Sequence, residues 1–367
     1  MQMVAFFSNS SGLLIHSTDS VGYLSEWEII PGDKLRIHFY GPESEIKRIE
    51  ISPQLEAAAE SYKQWARQQT WATKKRYNEF SYSLLAVASN PNLLKQFLAI
   101  QKLKDAFPPP IGAWITQYRK YEFDSMYPNY EPKNKEEFAS FLSKLKRIKC
   151  TAFPYINGLL WDARLKSFTL GEAVALRKKN GSLLQYNKKL PWLFYACPGS
   201  KMWQNTIIQA RKSLVDEEGL ISSGVYLDML LASGPFPCFA SNHDHAPGDP
   251  LAWQKGISRT LSSIEGMTIG EGNAEIYLNE IDALLMHLFT ERDDTVPLWN
   301  LVYGDLTASI GWQLPKDSNP IRFSAEVVRS KEFGVVCNGS PWMSQAIQEN
   351  LLRQEFKSAL EDLKKAD

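Results

Sequence analysis

A closed (β/α)₈ barrel, an α/β fold, is what this sequence predicts, and three observations predict it. From about residue 76 short apolar runs alternate with amphipathic stretches of helical period, a rhythm maintained over about 290 residues. Eight such runs can be marked, as many as a closed barrel needs. No GxGxxG follows a strand-like run and no GxxxxGK[ST] occurs, so the phosphate-cradling loops of nucleotide-binding open sheets are missing.

Taken in order, residues 1–56 form a β-rich segment. Gly12–His16, Tyr23–Ile30 and Lys34–Phe39 are short strand-like stretches divided by Asp19-Ser20 and Pro31-Gly32-Asp33 turns, and Glu45–Ile51 is a fourth candidate. An Ala/Glu-rich helix over Gln54–Gln69 supplies the link, residues 57–75, and residues 76–367 form the barrel. Its expected strands are Ser81–Ala88, Ile111–Gln117, Lys149–Ile156, Trp192–Cys197, Gly224–Asp228, Gly266–Glu271, Val296–Tyr303 and Phe333–Asn338. Between them, Phe138, Phe141, Leu142, Leu145 and Ile148 share one helical face, as do Ile257, Leu261 and Ile264. The same spacing predicts helices through Tyr277, Ile281, Leu284, Leu285 and Leu288, and through Ile347, Leu351, Phe356, Leu360 and Leu363.

Of the 367 residues, 44% are hydrophobic and 22% charged, enough to bury a large core. Lys plus Arg and Asp plus Glu balance at 41 each, and the basic clusters lie on expected helix faces, so no nucleic-acid partner is expected. No apolar run approaches the roughly 20 residues of a membrane span, and the first residues lack the pattern of a secretory signal. A cytoplasmic protein with no membrane partner is therefore the expectation, while oligomeric state has no signature. Cys150, Cys197, Cys238 and Cys337 are widely spaced and make no CxxC pair, so neither a disulfide framework nor a zinc ribbon is predicted.

Candidate site residues cluster at the expected strand ends. The run Ser223-Gly-Val-Tyr-Leu-Asp228 is apolar until it ends in an acid, and in a barrel that end faces the cavity where active sites form. A helix- or turn-capping Asp is the competing reading. The next run, Met267-Thr-Ile-Gly-Glu271, repeats the pattern, and carboxylates on adjacent strand ends lie roughly 5–9 Å apart, the range used by paired acids in glycoside hydrolysis. Glu275 is the rival acid, although a Glu in a first helical turn also answers the helix dipole. His243-Asp-His245, with Cys238 five residues upstream of His243, has metal-ligand character but no third ligand at a recognisable spacing, so no metal is expected. The histidines are read instead as partners of hydroxyl groups or of the carboxylates. Tyr155 and Asn157, Trp114, Asp124, and Asp305 after Val302-Tyr303-Gly304 complete a ring of strand-end groups suited to a polyhydroxyl ligand.

Six motifs occur in order: Phe123-Asp124-x-x-Tyr127-Pro128-x-Tyr130-x-Pro132, Pro154-Tyr155-Ile156-Asn157-Gly158, Gly224-Val-Tyr226-Leu-Asp228, His243-x-His245, Glu271-Gly-Asn-Ala-Glu275 and Val302-Tyr-Gly-Asp305. Together they resemble an uncharacterised family of glycoside-hydrolase-like barrels, distantly similar to endo-α-N-acetylgalactosaminidases and α-galactosidase-type enzymes, over roughly residues 55–340. The resemblance implies retaining hydrolysis of a carbohydrate without a cofactor. It puts Asp228 in the nucleophile position and Glu271 in the acid/base position, with His243, His245, Asn157 and Asp124 lining a sugar subsite. Members typically carry a full β-sandwich before the barrel and another after it, whereas residues 1–56 match only the tail of the first. Asp244 stands where the family usually has Gly between the histidines. Two other readings stay open: a carbohydrate-binding barrel or truncated enzyme without turnover, and a metal-dependent hydrolase using His243 and His245.

Overall fold

The computed structural model describes residues 55–73, 82–214, 224–272, 274–286, 298–313, 327–328, 334–339, 344–351 and 353–364, together with five strands between residues 3 and 52. Those strands are β1 (Met3–Phe7), β2 (Gly12–His16), β3 (Ser25–Ile30), β4 (Lys34–Phe39) and β5 (Arg48–Ser52). They form an antiparallel sheet in the order β1-β2-β5 and a separate β3-β4 hairpin. Helix α1 (Leu55–Ala66) follows and buries Ala58, Ala59, Tyr62 and Ala66.

Eight parallel strands then close into a barrel: β6 (Leu84–Ala88), β7 (Ile111–Ile115), β8 (Thr151–Asn157), β12 (Val225–Asp228), β13 (Thr268–Glu271), β14 (Ala283–Leu285), β15 (Ala308–Gln313) and β16 (Val335–Gly339), with β16 hydrogen-bonded back to β6. Strand β6, Leu-Leu-Ala-Val-Ala, is buried along its whole length because helices cover one face and the barrel core the other. Helix α2 (Leu93–Ala106) is capped by Asn92, whose side chain accepts from the Lys95 N–H, and α3 (Lys135–Arg147) by Asn134 accepting from Glu137. Glu136 and Glu137 in the first turn of α3, and Lys144, Lys146 and Arg147 in the last, match the helix dipole. Phe138, Phe141, Leu142 and Leu145 form its buried face, as the spacing predicts.

Two expected barrel strands take other roles. Trp192–Cys197 overlaps β11 (Leu190–Tyr195), which lies in an antiparallel sheet of order β10-β11-β9 with β9 (Leu160–Asp162) and β10 (Gln185–Asn187). This sheet and the short α4 (Phe168–Val174) are inserted between β8 and α5 (Lys201–Leu214). Val296–Tyr303 overlaps the helix α7 (Leu298–Tyr303), which packs on α1. The true sixth and seventh strands are β14 and β15. The apolar set Tyr277, Ile281, Leu284 and Leu285 has helical spacing, but Tyr277 ends a 3₁₀ turn, Glu275–Tyr277, Ile281 lies in the connection, and Leu284 and Leu285 belong to a three-residue strand; Leu288 lies outside the described residues. A strand that short and fully buried offers no alternation to distinguish it from a helix. The last expected helix is divided into α8 (Ser344–Asn350) and α9 (Gln354–Lys364), with Ile347, Phe356 and Leu360 still buried.

The barrel interior is layered. Paired registers set Tyr226 of β12 opposite Tyr155 of β8, and Asp228 opposite Asn157. Phe153 fills the layer below, where Gly224 leaves room: a Cβ there would sit 2.1 Å from the Phe153 ring. Aromatic rings thus plug the barrel beneath a polar layer at the C-terminal strand ends, the face on which barrel enzymes build their sites.

Candidate active site

At that face β12 runs Val225-Tyr226-Leu227, all buried, into the half-buried Asp228. The Oδ2 atom of Asp228 accepts hydrogen bonds from the Tyr155 hydroxyl (2.6 Å) and the Asn157 amide (3.2 Å), both on the neighbouring strand β8. On the other side the carboxyl of Glu271, the last residue of β13, is in hydrogen-bond contact with that of Asp228. Two carboxyls so placed share a proton. Burial first, and then the Glu271 carboxyl, push Asp228 well above the usual carboxylate range, while the Tyr155 hydrogen bond acts in the opposite sense. The pair is closer than the spacing of roughly 5–9 Å expected from adjacent strand ends.

Glu271 has a second anchor. The chain leaves β12 through Met229, a non-glycine residue at φ 61°, and the Met229 N–H donates to Glu271 Oε2 at 3.1 Å. Left-handed backbone at an unbranched non-glycine residue is a local cost that the surrounding structure must impose. Here it aims an amide at a carboxyl from the next strand.

Behind Tyr155 the network continues. The hydroxyls of Tyr127 and Tyr155 are 3.0 Å apart, and Tyr127 also lies 3.4 Å from Asp124 Oδ1. Each phenol has one proton. With Tyr155 donating to Asp228, Tyr127 must donate to Tyr155, and its hydroxyl then accepts from the Asp124 N–H at 3.2 Å. Such a chain strengthens the final bond to Asp228. Asn157 is committed as well: its Oδ1 accepts from the N–H groups of Leu159 and Leu160, so its amide is aimed at Asp228.

Asp124 sits on a strained loop, with Asp124 at φ 53° and Met126 at φ 55°. Arg119 holds this loop from beneath, donating to the carbonyls of Glu122 (2.8 Å), Ser125 (3.1 Å) and Asn129 (3.3 Å) while lying over the Tyr127 ring. Buried Asp162 takes the Met126 N–H at 2.7 Å and is paired with Arg164. Burial raises the Asp124 carboxyl above its ordinary value, and its charge reaches Asp228.

Trp114 stacks on Tyr226 at 4.1 Å between ring centroids, and Tyr226 stacks in turn on Tyr155. Phe123, 44% exposed, leans on Tyr155 from the solvent side. Sequence reasoning missed Tyr186. Its phenol is raised above its ordinary value by burial and then by the charges of Asp124, Asp228 and Glu271, so it lies within electrostatic reach of all three carboxyls. It belongs to β10 in the inserted sheet, where no pattern in the sequence points toward the barrel mouth.

The remaining candidates stand apart from this cluster. Glu275 is 3% exposed and is held in the outer layer by the hydroxyls of Tyr62 (2.9 Å) on α1 and Tyr303 (2.6 Å) on α7. Asp305 follows α7 and precedes β15, at the N-terminal end of that strand rather than the C-terminal one. It is exposed and pairs with Arg67 at 2.5 Å. His243 and His245 lie in the loop between β12 and α6 (Ala252–Ser262), each with a ring nitrogen on a cysteine: His243 Nδ1 is 3.4 Å from Cys238 Sγ, and His245 Nε2 is 3.3 Å from Cys197 Sγ. Among the described residues no helix is long and apolar enough to cross a membrane.

A family described as "Domain of unknown function (DUF6259)" matches residues 51–314. A Bacteroides thetaiotaomicron protein named "Putative glycoside hydrolase" is 30% identical over 221 residues, covering 56% of this chain and 32% of that protein. The chain therefore matches about a third of its relative's length. Among solved structures, the α-N-acetylgalactosaminidase of Bifidobacterium bifidum superposes with a TM-score of 0.75 at 11% identity, over 100% of this chain and 68% of that one. The α-galactosidase of Thermus thermophilus, in complex with stachyose, gives 0.62 at 13% identity over 98% and 78%. At these identities the likeness is one of fold.

Proposed function

The chain belongs to the DUF6259 family, and we propose that it is a retaining glycosidase in which Asp228 is the nucleophile and Glu271 the general acid and base. The observation that carries this reading is the hydrogen-bond contact between the two carboxyls at the ends of adjacent strands, above a floor of stacked aromatic rings. Contact is nearer to the ~5–5.5 Å of retaining pairs than to the ~6.5–9.5 Å that inverting enzymes keep for a water.

The retaining reaction needs the shared proton on Glu271 and the charge on Asp228, and the Tyr155 and Asn157 donors at Asp228 Oδ2 favour that charge. In the first half-reaction Glu271 gives that proton to the leaving oxygen as its bond to the anomeric carbon breaks, and an Asp228 oxygen bonds to that carbon. In the second, Glu271 removes a proton from water, whose oxygen displaces Asp228 and restores the acid. A sugar must part the two carboxyls as it enters. Asp124 and Tyr186 are placed to meet its hydroxyl groups, and Phe123 to meet an apolar ring face. His243 and His245 face cysteines rather than Asp228, so a hydrolytic metal held by the two histidines and Asp228 is not adopted.

The names of the structural neighbours put α-galactosides and α-N-acetylgalactosaminides first among substrates to try. The test is hydrolysis of a panel of aryl α- and β-glycosides by the wild type, Asp228→Asn and Glu271→Gln. Turnover of an α-glycoside, lost in Asp228→Asn, is expected; binding of sugar without turnover, unaffected by either substitution, would point to a binding barrel.

A further inference from the structure

We infer that Cys197, Cys238, His243 and His245 form a closed Cys₂His₂ site for a structural zinc ion that joins two loops beside the barrel mouth. The four candidate ligand atoms all lie within 4.8 Å of one another. A tetrahedral zinc with Zn–S of about 2.3 Å and Zn–N of about 2.0–2.1 Å requires ligand atoms roughly 3.3–3.8 Å apart. The two Cys–His pairs, at 3.3 and 3.4 Å, already meet that spacing.

The groups around the ligands also suit a metal. The far ring nitrogen of each histidine lies on a backbone carbonyl: His243 Nε2 on Ala173 at 3.0 Å and His245 Nδ1 on Ala246 at 2.8 Å. A carbonyl can only accept, so each far nitrogen carries the proton and the nitrogen facing the cysteine keeps its lone pair, the arrangement that orients a metal-ligating imidazole. Each sulfur receives backbone N–H groups, those of Gly199 and Ser200 for Cys197 and those of Arg177 and Ala240 for Cys238, as suits thiolates. Metal binding would release the thiol protons to solvent. Two thiolates and two imidazoles select zinc over the oxygen-seeking magnesium and calcium.

The ligands come from two excursions. Cys197 closes the insertion between β8 and α5, while Cys238, His243 and His245 lie in the loop from β12 to α6. Gly199 is part of the fit, because a Cβ there would stand 2.7 Å from the His245 ring. Asp244, between the histidines, accepts from the Lys201 N–H at the start of α5 at 2.8 Å and so turns both rings inward. With four protein ligands the ion has no open position for water. Its role is to hold together the loop that begins at Met229 and the insertion that carries Tyr186, independently of what the barrel cleaves.

The test is the zinc content of the full chain, expressed with added zinc and purified under reducing conditions without chelator. About one zinc per chain is expected, lost in both Cys238→Ser and His245→Ala. Should the variants fail to fold, cobalt added to chelator-stripped wild type gives an independent reading: intense visible bands of tetrahedral cobalt with a thiolate charge-transfer band are expected. Folded wild type holding under about a tenth of an equivalent and showing no such bands would overturn the proposal. So would zinc retained in full by both variants, or a Cys197–Cys238 disulfide in the reduced preparation.

Discussion

Met229 holds Glu271 through its backbone: at φ 61° its N–H reaches Glu271 Oε2 at 3.1 Å, so a strained residue just past one strand fixes the carboxyl that ends the next. The strain belongs to the main chain, which makes the effects of substitution separable. Met229→Gly keeps the amide and tolerates the angle, and kcat/KM is expected to stay within about threefold of wild type. Met229→Val puts a β-branched residue at a left-handed angle and is expected to cost about 1–2 kcal/mol of stability and to lower kcat/KM about tenfold or more. Denaturant melts and steady-state kinetics on the two variants check this; equal effects would remove the role given to the backbone.

The Tyr155 hydroxyl lies 2.6 Å from Asp228 Oδ2, and loss of this contact has a definite sign. The phenol stabilises the ionised form of Asp228, so Tyr155→Phe raises the Asp228 pKa further. The acid limb of kcat/KM, already above the usual aspartate range, is expected to move to higher pH in the variant. At the optimum, kcat/KM should fall about 10–100-fold, the scale of a hydrogen bond to a charged group. A pH profile with an unmoved acid limb would exclude this role.

Asp228 also links the site to stability. A carboxyl raised by burial keeps its proton longer in the folded chain than in the unfolded one. Its contribution is therefore harmless below the unfolded value of about 3.9 and becomes destabilising as pH rises from there through the folded value. Asp228→Asn retains an oxygen for Tyr155 and Asn157 and offers its NH₂ to Glu271. At neutral pH it is expected to melt about 2 °C or more above the wild type, a gap that closes at the acid end. Thermal melts across pH test this, and a variant less stable than wild type at neutral pH would contradict it.

Glu275 is expected to behave as a structural group. Tyr303→Phe removes a 2.6 Å bond to its buried carboxylate and should cost about 1.5–3 kcal/mol while leaving kcat/KM unchanged. Loss of catalysis at full stability would return Glu275 to the site.

These residues also mark what the sequence discloses. The strand-end positions of Asp228 and Glu271 were legible because each closes an apolar run, although a capping carboxylate fits the same pattern. Asp305 misled, because its apolar prefix Leu-Val-Tyr ends the helix α7, with Val302 and Tyr303 buried, and is no strand, and the mistake moved it to the wrong end of the barrel. Strand β14 escaped notice, since three buried residues show no period. Tyr186 comes within electrostatic reach of the carboxyls through an inserted sheet, and Cys197 meets His245 across 48 positions, and such proximity is set by the tertiary fold rather than by local spacing.

The most direct test of the central claim is mass spectrometry of the chain after incubation with an activated fluorinated α-glycoside of the sugar it cleaves, whose fluorine slows release of a glycosyl-enzyme. One glycosyl group on the peptide containing Asp228, absent after Asp228→Asn, is the result expected. Turnover with no label, or a label on another carboxylate that persists in Asp228→Asn, would contradict the assignment of Asp228 as nucleophile.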